Sequence, residues 1–479
     1  MSSRSNKNIK QELIKHLIVI FISILISVVF IDEILKFPGF FVEDDTFFYA
    51  QVAYNIGVNG ISSFDGINTT DGYHLIWCWL LSALALITNI FTSDKTIHFM
   101  VFLSFYHYLV IWLAVMVSKN IPQIIISFII LIVTAYLMED ILLSIVMLFA
   151  LKKIYDSGYD IYFLLALFII PLVRIDGIIL TGTFLFFFYL KDLRKMLISL
   201  SVLACGVLTQ FLTNKLVFGS FFSVSSLVKL SKRGDMADNF FNLQSIMSFS
   251  SILTLSLFAI STAVLFFAYK RKQFDREKIR YYSVIIIALL FYIFYVYAAT
   301  PSARQWYLTI IKVISLYILF NNLSYLNILR KRLFWYIIMV MIMISFFALY
   351  ISKSKYYSHD NEYTWQFISQ VRKKVPEDEK IFQVDASGIT GYFTRRTIIN
   401  GDGLMNSHTY FEHLKNRTLS DYIEQNNINY IITNREPEGN IALGWKDLRI
   451  HKDSAHLLIR PDRELHYDFN RYRLYKFRD

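Results

Sequence analysis

The chain has 479 residues, of which 55% are hydrophobic, 17% aromatic and only 18% charged. Apolar runs of about 17–25 residues, the length that spans a bilayer, recur as far as residue 350 or so, which excludes an ordinary soluble globule and a disordered chain. The net charge of +11 does not point to nucleic acid. Its excess sits in short loops between apolar runs, at Lys152-Lys153, Lys191 to Lys195, 270–280 and 330–332, the positive-inside pattern of cytoplasmic loops.

The first apolar run, 17–35, follows the basic residues Arg4, Lys7, Lys10 and Lys15, and no small-residue cleavage site follows it, so it reads as a retained span with a cytoplasmic N-terminus. The 36–74 loop is then extracytoplasmic. Further candidate spans are 75–91, 97–117, 121–137, 139–151, 161–173, 177–190, 197–213, 248–269, 281–299, 304–320 and 333–351. The expectation is a polytopic α-helical membrane protein of about 11–13 spans, with residues 1–352 as the transmembrane module. Several runs are short, which suggests tight hairpins such as 161–190. Five runs lie between the cytoplasmic start and Lys152-Lys153, where an even number is needed. Either 75–91 or 139–151 does not span, and the sequence leaves both open. Cys78 and Cys205 lie far apart in apolar runs, with no disulfide framework or metal-ligand spacing.

Residues 353–479 differ in kind, with mixed charge and shorter apolar spacing. "NEYTWQFISQVRKKV" reads as an amphipathic helix, "KIFQVD", "TIIN" and "NYIIT" as short strands, and "RTLSDYIEQNN" as a helix opened by Thr418. This alternation predicts a small extracytoplasmic α/β domain.

The first loop carries three consecutive acids, Glu43, Asp44 and Asp45, after Pro38-Gly39 and before "TFFYAQVAYNIGVNG", an amphipathic helix ended by Gly57 or Gly60. An acid at a helix start caps free N–H groups and suits the helix dipole. That accounts for one Asp and part of a second. It does not account for three acids at a membrane surface, where desolvation opposes charge. A general base placed where a lipid-borne substrate reacts accounts for them better.

"EDDTFFYAQVAYNIGVNGISSFDGINTTDGYHLIW" resembles the first extracytoplasmic loop of the GT-C membrane glycosyltransferases, in particular bacterial glycosyltransferase family 39-like proteins, with Gly60, Phe64, Gly66, Thr70, Gly72, Tyr73 and His74 filling the tail of that pattern. "LMEDILLSIV", "PLVRIDGIIL", "FGSFFSVSSLVKLSK" and "VDASGITGYFTRRTIINGDGLMNS" extend the likeness along nearly the whole chain. The resemblance implies an inverting enzyme of the bacterial inner membrane that moves a sugar from a polyprenyl-phosphate carrier to a glycan, lipid or protein acceptor on the outer face. It assigns the base to Asp44 first and Asp45 second, with Glu43 as flank. It implies no obligatory cofactor, although a divalent metal is compatible with it.

Other residues carry competing readings. Arg174 and Asp176 are an intramembrane ion pair or a donor-phosphate or acceptor contact. Lys229, with Lys232 and Arg233, is a solvated face or a phosphate ligand, favoured by positive charge on the outer side. Arg304, beside Trp306 and Tyr307, is an interface anchor or a phosphate contact. Glu139 and Asp140 join the acidic cluster only if their end of the span is outside. Tyr73 and His74 close the loop as structural residues or as ligands of acceptor or cation. Two other classes fit the composition. A lipid or glycan flippase would favour broken helices and repeat symmetry, and no repeat is visible. A non-catalytic scaffold would not need the acids.

Overall fold

The computed structural model describes residues 16–28, 44–134, 138–156, 158–231, 248–271, 275–299, 305–323, 364–433, 455–459 and 472–477. The expected run 333–351, Glu43, Lys232, Arg233 and Arg304 lie outside these residues. In chain order the elements are α1 (His16–Val28), α2 (Asp44–Asn59), α3 (Leu75–Asn89), α4 (Lys95–Val117), α5 (Ile121–Thr134), α6 (Asp140–Asp156), α7 (Ile161–Val173), α8 (Gly177–Phe188) and α9 (Leu193–Phe218). There follow α10 (Val224–Ser231), α11 (Phe249–Lys270), α12 (Arg276–Ala299), α13 (Gln305–Asn322), α14 (364–374), β1 (Lys380–Gln383) and α15 (Gly388–Phe393). The last are β2 (Thr397–Asn400), α16 (His408–Asn416), α17 (Leu419–Gln425), β3 (Tyr430–Thr433), β4 (Ala455–Ile459) and β5 (Arg473–Phe477). Four of the helices, Lys95–Val117, Leu193–Phe218, Ser250–Lys270 and Arg276–Ala298, are long and apolar enough to cross a membrane; six shorter ones are also apolar.

The described chain forms two compact units. One comprises Met1–Val28, Leu103–Gln210 and Arg233–Tyr350, the other Val29–Phe102, Phe211–Lys232 and Ile351–Asp479. The second unit therefore groups the first loop and the 211–232 segment with the C-terminal part, a grouping that a single boundary at residue 352 does not express.

The first unit is helical. α8 packs on α12, α11 on α13, and α6 on both α7 and α13. The hairpin read over 161–190 is present as α7 and α8. Asp160 caps its start, its side chain accepting from Phe163 N at 3.0 Å. A Cβ on Gly206 would collide with the Phe168 carbonyl and lie beside Pro171. Only glycine lets that backbone approach α7 so closely.

The second unit is built around a mixed sheet in the order β2-β1-β3-β5-β4. β1 runs parallel to β2 and β3, while β5 runs antiparallel to β3 and β4. The expected strands in "KIFQVD", "TIIN" and "NYIIT" are the parallel core, and the expected helices at 364–374 and 419–425 form as read. Thr418 precedes α17 without a side-chain cap bond; its Oγ1 instead meets His413 Nδ1 at 2.9 Å. Phe382, Ile399, Tyr410, Leu419, Tyr422 and Ile431 form one buried cluster, and Val224 and Val228 of α10 join it. The valines are four apart, so they share a helix face. That face anchors α10 to the sheet domain and leaves Lys229 exposed.

Candidate functional site

Asp44 opens α2, whose aromatic and small residues Phe47, Phe48, Tyr49, Ala50, Val52 and Ala53 are buried. The helix packs against α3 and α15 and stops at Gly60, where φ is +70°, a conformation that costs glycine little. The Asp44 carboxylate reaches across the fold. Its Oδ2 accepts from Gly388 N at 2.8 Å and its Oδ1 from Ile389 N at 3.0 Å. It thus satisfies the free N–H groups that begin α15, not those of its own helix. A Cβ on Gly388 would strike the Asp44 carbonyl oxygen and lie 2.8 Å from Oδ1.

Burial pushes the Asp44 carboxyl up from 3.8 to about 7; the two backbone hydrogen bonds oppose this, and the charges of Asp45 and Asp402 add to it. Each carboxylate oxygen has two lone pairs and uses one on a backbone N–H. The outcome is a half-buried carboxyl, held by two donors, that exchanges its proton near neutrality. Asp402 is held by its own loop, its Oδ1 accepting from Leu404 N at 2.8 Å. Nothing in the local sequence singles out Asp402 or Gly388. The strings "VDASGITGYF" and "NGDGLMNS" mark their segments, but no local pattern ties them to Asp44.

The rest of the loop is a folded support. Asp65 Oδ1 accepts from Ile67 N and Asn68 N, and Gly66 turns at φ +82°. Phe64 lies where a Cβ on Gly391 would be. Tyr73 is buried with its hydroxyl 2.7 Å from Ser62 Oγ, and burial pushes its phenol up. Its hydroxyl contact lies within the loop. His74 is the half-buried residue before α3 and makes no side-chain cap bond to it. Nothing in the local sequence marks Asp71, yet its contacts reach beyond the loop. It accepts from Val224 N at 2.8 Å and meets His408 Nε2 at 3.1 Å, with its side chain fully buried. It ties the loop to α10 and α16.

Arg174 belongs to the other unit. It is buried, and each guanidinium nitrogen is engaged: Nε and Nη2 donate to the two Asp176 oxygens at 2.9 and 3.0 Å, and Nη1 donates to Glu139 Oε1 at 2.9 Å. The Tyr292 hydroxyl donates to Asp176 at 2.8 Å, and the Tyr307 ring lies 4.5 Å from the guanidinium carbon. This bidentate clamp is the ion pair of the two readings of Arg174. Lys312, buried in α13 and donating to Ser250 Oγ at 3.2 Å, lies within electrostatic reach of Asp140. Its signal in the sequence is a lone lysine inside "LTIIKVISL". Of the nominated residues, Asp44, Asp45, Tyr73, His74 and Lys229 fall in one unit and Arg174 in the other. No grouping of three or more His, Cys, Asp or Glu able to hold a metal occurs among the described residues.

Residues 354–475 match a family described as a domain of unknown function (DUF8728). No curated protein matches the chain.

Proposed function

We propose that the protein is a GT-C-type membrane glycosyltransferase that moves a sugar from a polyprenyl-phosphate carrier to a cell-envelope acceptor, with Asp44 as general base and Asp45 as the acid that orients the acceptor. The observation that carries this is the Asp44 carboxyl, poised at about 7 by burial while two backbone donors hold it in place. A general base works best when its pKa lies near the operating pH. In this reading Asp44 takes the proton from the acceptor hydroxyl as that oxygen attacks the anomeric carbon. The bond to the carrier phosphate breaks, the configuration inverts, and the phosphate leaves as an anion that needs pairing but no proton. Lys229 is the described candidate for that pairing, being an exposed cation on α10; Arg304 is the second nominee.

The basic loops support an extracytoplasmic placement of residues 36–74. The hydrogen bonds from Gly388 and Ile389 to Asp44 support the same side for residues 353–479, because two segments in such contact share a compartment.

The test is incubation of the purified protein with a panel of polyprenyl-phosphate sugars and mass analysis of released polyprenyl phosphate. Release by the wild type and its loss in Asp44→Asn supports the reading. A flippase would move the carrier between leaflets and release none. The buried charges of the helical unit, Glu139, Arg174 and Asp176, are what favours that alternative.

A further inference from the structure

Three cations gather at the end of α15 remote from Asp44. Lys95 opens α4 and is half-buried. Its ammonium donates to Gln51 Oε1 at 2.7 Å and to the Tyr392 carbonyl at 3.2 Å, and lies 5.0 and 5.2 Å from the Tyr54 and Tyr392 ring centres. Both acceptors are neutral. Arg395 follows α15 in the left-handed region, at φ +55°, with its side chain exposed and within electrostatic reach of Lys95, Arg372, Tyr54 and Asp94. Arg372, on α14, donates to the Phe393 carbonyl. Arg396 differs: it pairs with Glu377 at 3.4 Å and donates to the Val375 carbonyl, which is a structural role.

Among the described residues, Asp94 is a carboxylate within electrostatic reach of Arg395, and it already accepts from Thr96 N and Ile97 N. Burial, and after it the charges of Arg395 and Arg396, pull the Arg372 guanidinium below its ordinary range. Like charges brought together destabilise a fold unless an anion joins them. Ile90 and Phe91, just before this cluster, are 75% and 82% exposed. A bare apolar pair followed by cations at the start of an apolar helix suits a bilayer interface.

We propose that Lys95, Arg372 and Arg395 form a binding site for a phosphate group, carried in the membrane by an anionic lipid headgroup. The arginine forks match two phosphate oxygens each, the lysine supplies a point charge, and the Tyr54 and Tyr392 faces wall the site. The site is independent of the Asp44 chemistry.

The experiment uses the full-length protein in nanodiscs of phosphatidylcholine, to which phosphatidylglycerol or, separately, inorganic phosphate is added. Tm and lipid retention by native mass spectrometry are the readouts. Phosphatidylglycerol is expected to raise Tm and to be retained, and Arg395→Gln to weaken that affinity about tenfold, the loss of one charge-assisted pair. In phosphatidylcholine alone, Arg395→Gln is expected to keep or raise Tm, because removing it relieves repulsion. Protection by inorganic phosphate as strong as that by the lipid would also support the site and assign it to a soluble phosphate. Equal retention of phosphatidylglycerol by wild type, Arg395→Gln and Arg372→Gln/Arg395→Gln would overturn the proposal, as would a fall in Tm of Arg395→Gln in phosphatidylcholine.

Discussion

Asp44→Asn swaps an acceptor pair for one acceptor and one donor. The carboxylate takes an N–H on each oxygen, from Gly388 and Ile389. Asparagine can accept from one and must turn its NH2 toward the other. A buried donor left without its partner costs about 1–3 kcal/mol. A second effect opposes it. The carboxyl rises from 3.8 to about 7 on folding, so holding it ionised costs on the order of 4 kcal/mol at about 1.36 kcal/mol per pH unit, less the screening at its partly exposed face. Because the folded value is the higher one, this penalty is fully present above pH 7. It fades as pH falls through 7 toward 3.8 and is absent below that. Asparagine carries no such penalty. The variant is therefore expected to be less stable than wild type at pH 4 and as stable or more stable at pH 8. Thermal unfolding in detergent at the two pH values measures this. Transfer, followed as released polyprenyl phosphate at pH 8, is expected to fall about 10²–10⁴-fold. The wild-type rate should rise with pH through about 7 and then level off. A stable, donor-binding, inactive variant at pH 8 separates the base from a mere cap. Near-normal transfer by that variant would refute the reasoning. Activity lost only in Asp45→Asn would move the base one residue along.

Gly388→Ala places a methyl against the Asp44 carbonyl, a main-chain atom that cannot swing away. A loss of about 1–3 kcal/mol is expected, together with reduced transfer; unchanged Tm would contradict the packing of α15 on α2. Asp71→Ala strands Val224 N and His408. Its expected cost is about 1–3 kcal/mol, read as a lower Tm and faster proteolysis. Arg174→Ala leaves Glu139 and Asp176 buried without their cation, with an expected loss of about 3–5 kcal/mol and poor recovery of monodisperse protein. A well-folded Arg174→Ala with selectively weakened donor binding would reverse the ion-pair assignment. Lys229→Ala, on an exposed face of α10, should change stability by no more than about 0.5 kcal/mol and weaken donor affinity; unchanged affinity removes it from the phosphate site.

The elements that form from local pattern were legible in the sequence. The helical stretch after Asp45, the hairpin at 161–190 and the strands in "KIFQVD", "TIIN" and "NYIIT" all carry a period or a turn signal within a few residues, and each forms where the sequence places it, although the helix is buried on every face over 46–53 and is not amphipathic there. β4 and β5 were not read. They pair antiparallel with each other and β5 with β3, and "AHLLI" and "RLYKF" are too short and too mixed to announce strands alone. The acids at 43 to 45 stand out in the sequence as a candidate site, because charge at a membrane interface is costly in any fold. What Asp44 touches does not. Its partners lie 344 and 345 positions away, and no periodicity spans such a distance. The same holds for Asp71, which looks like an ordinary loop acid until Val224 and His408 close on it, and for the gathering of Lys95, Arg372 and Arg395. Sequence determines which segments can bury an apolar face, since that depends on neighbours along the chain. Only the tertiary structure decides which charges meet, because a Coulomb interaction depends on distance through space and on the solvent that folding removes.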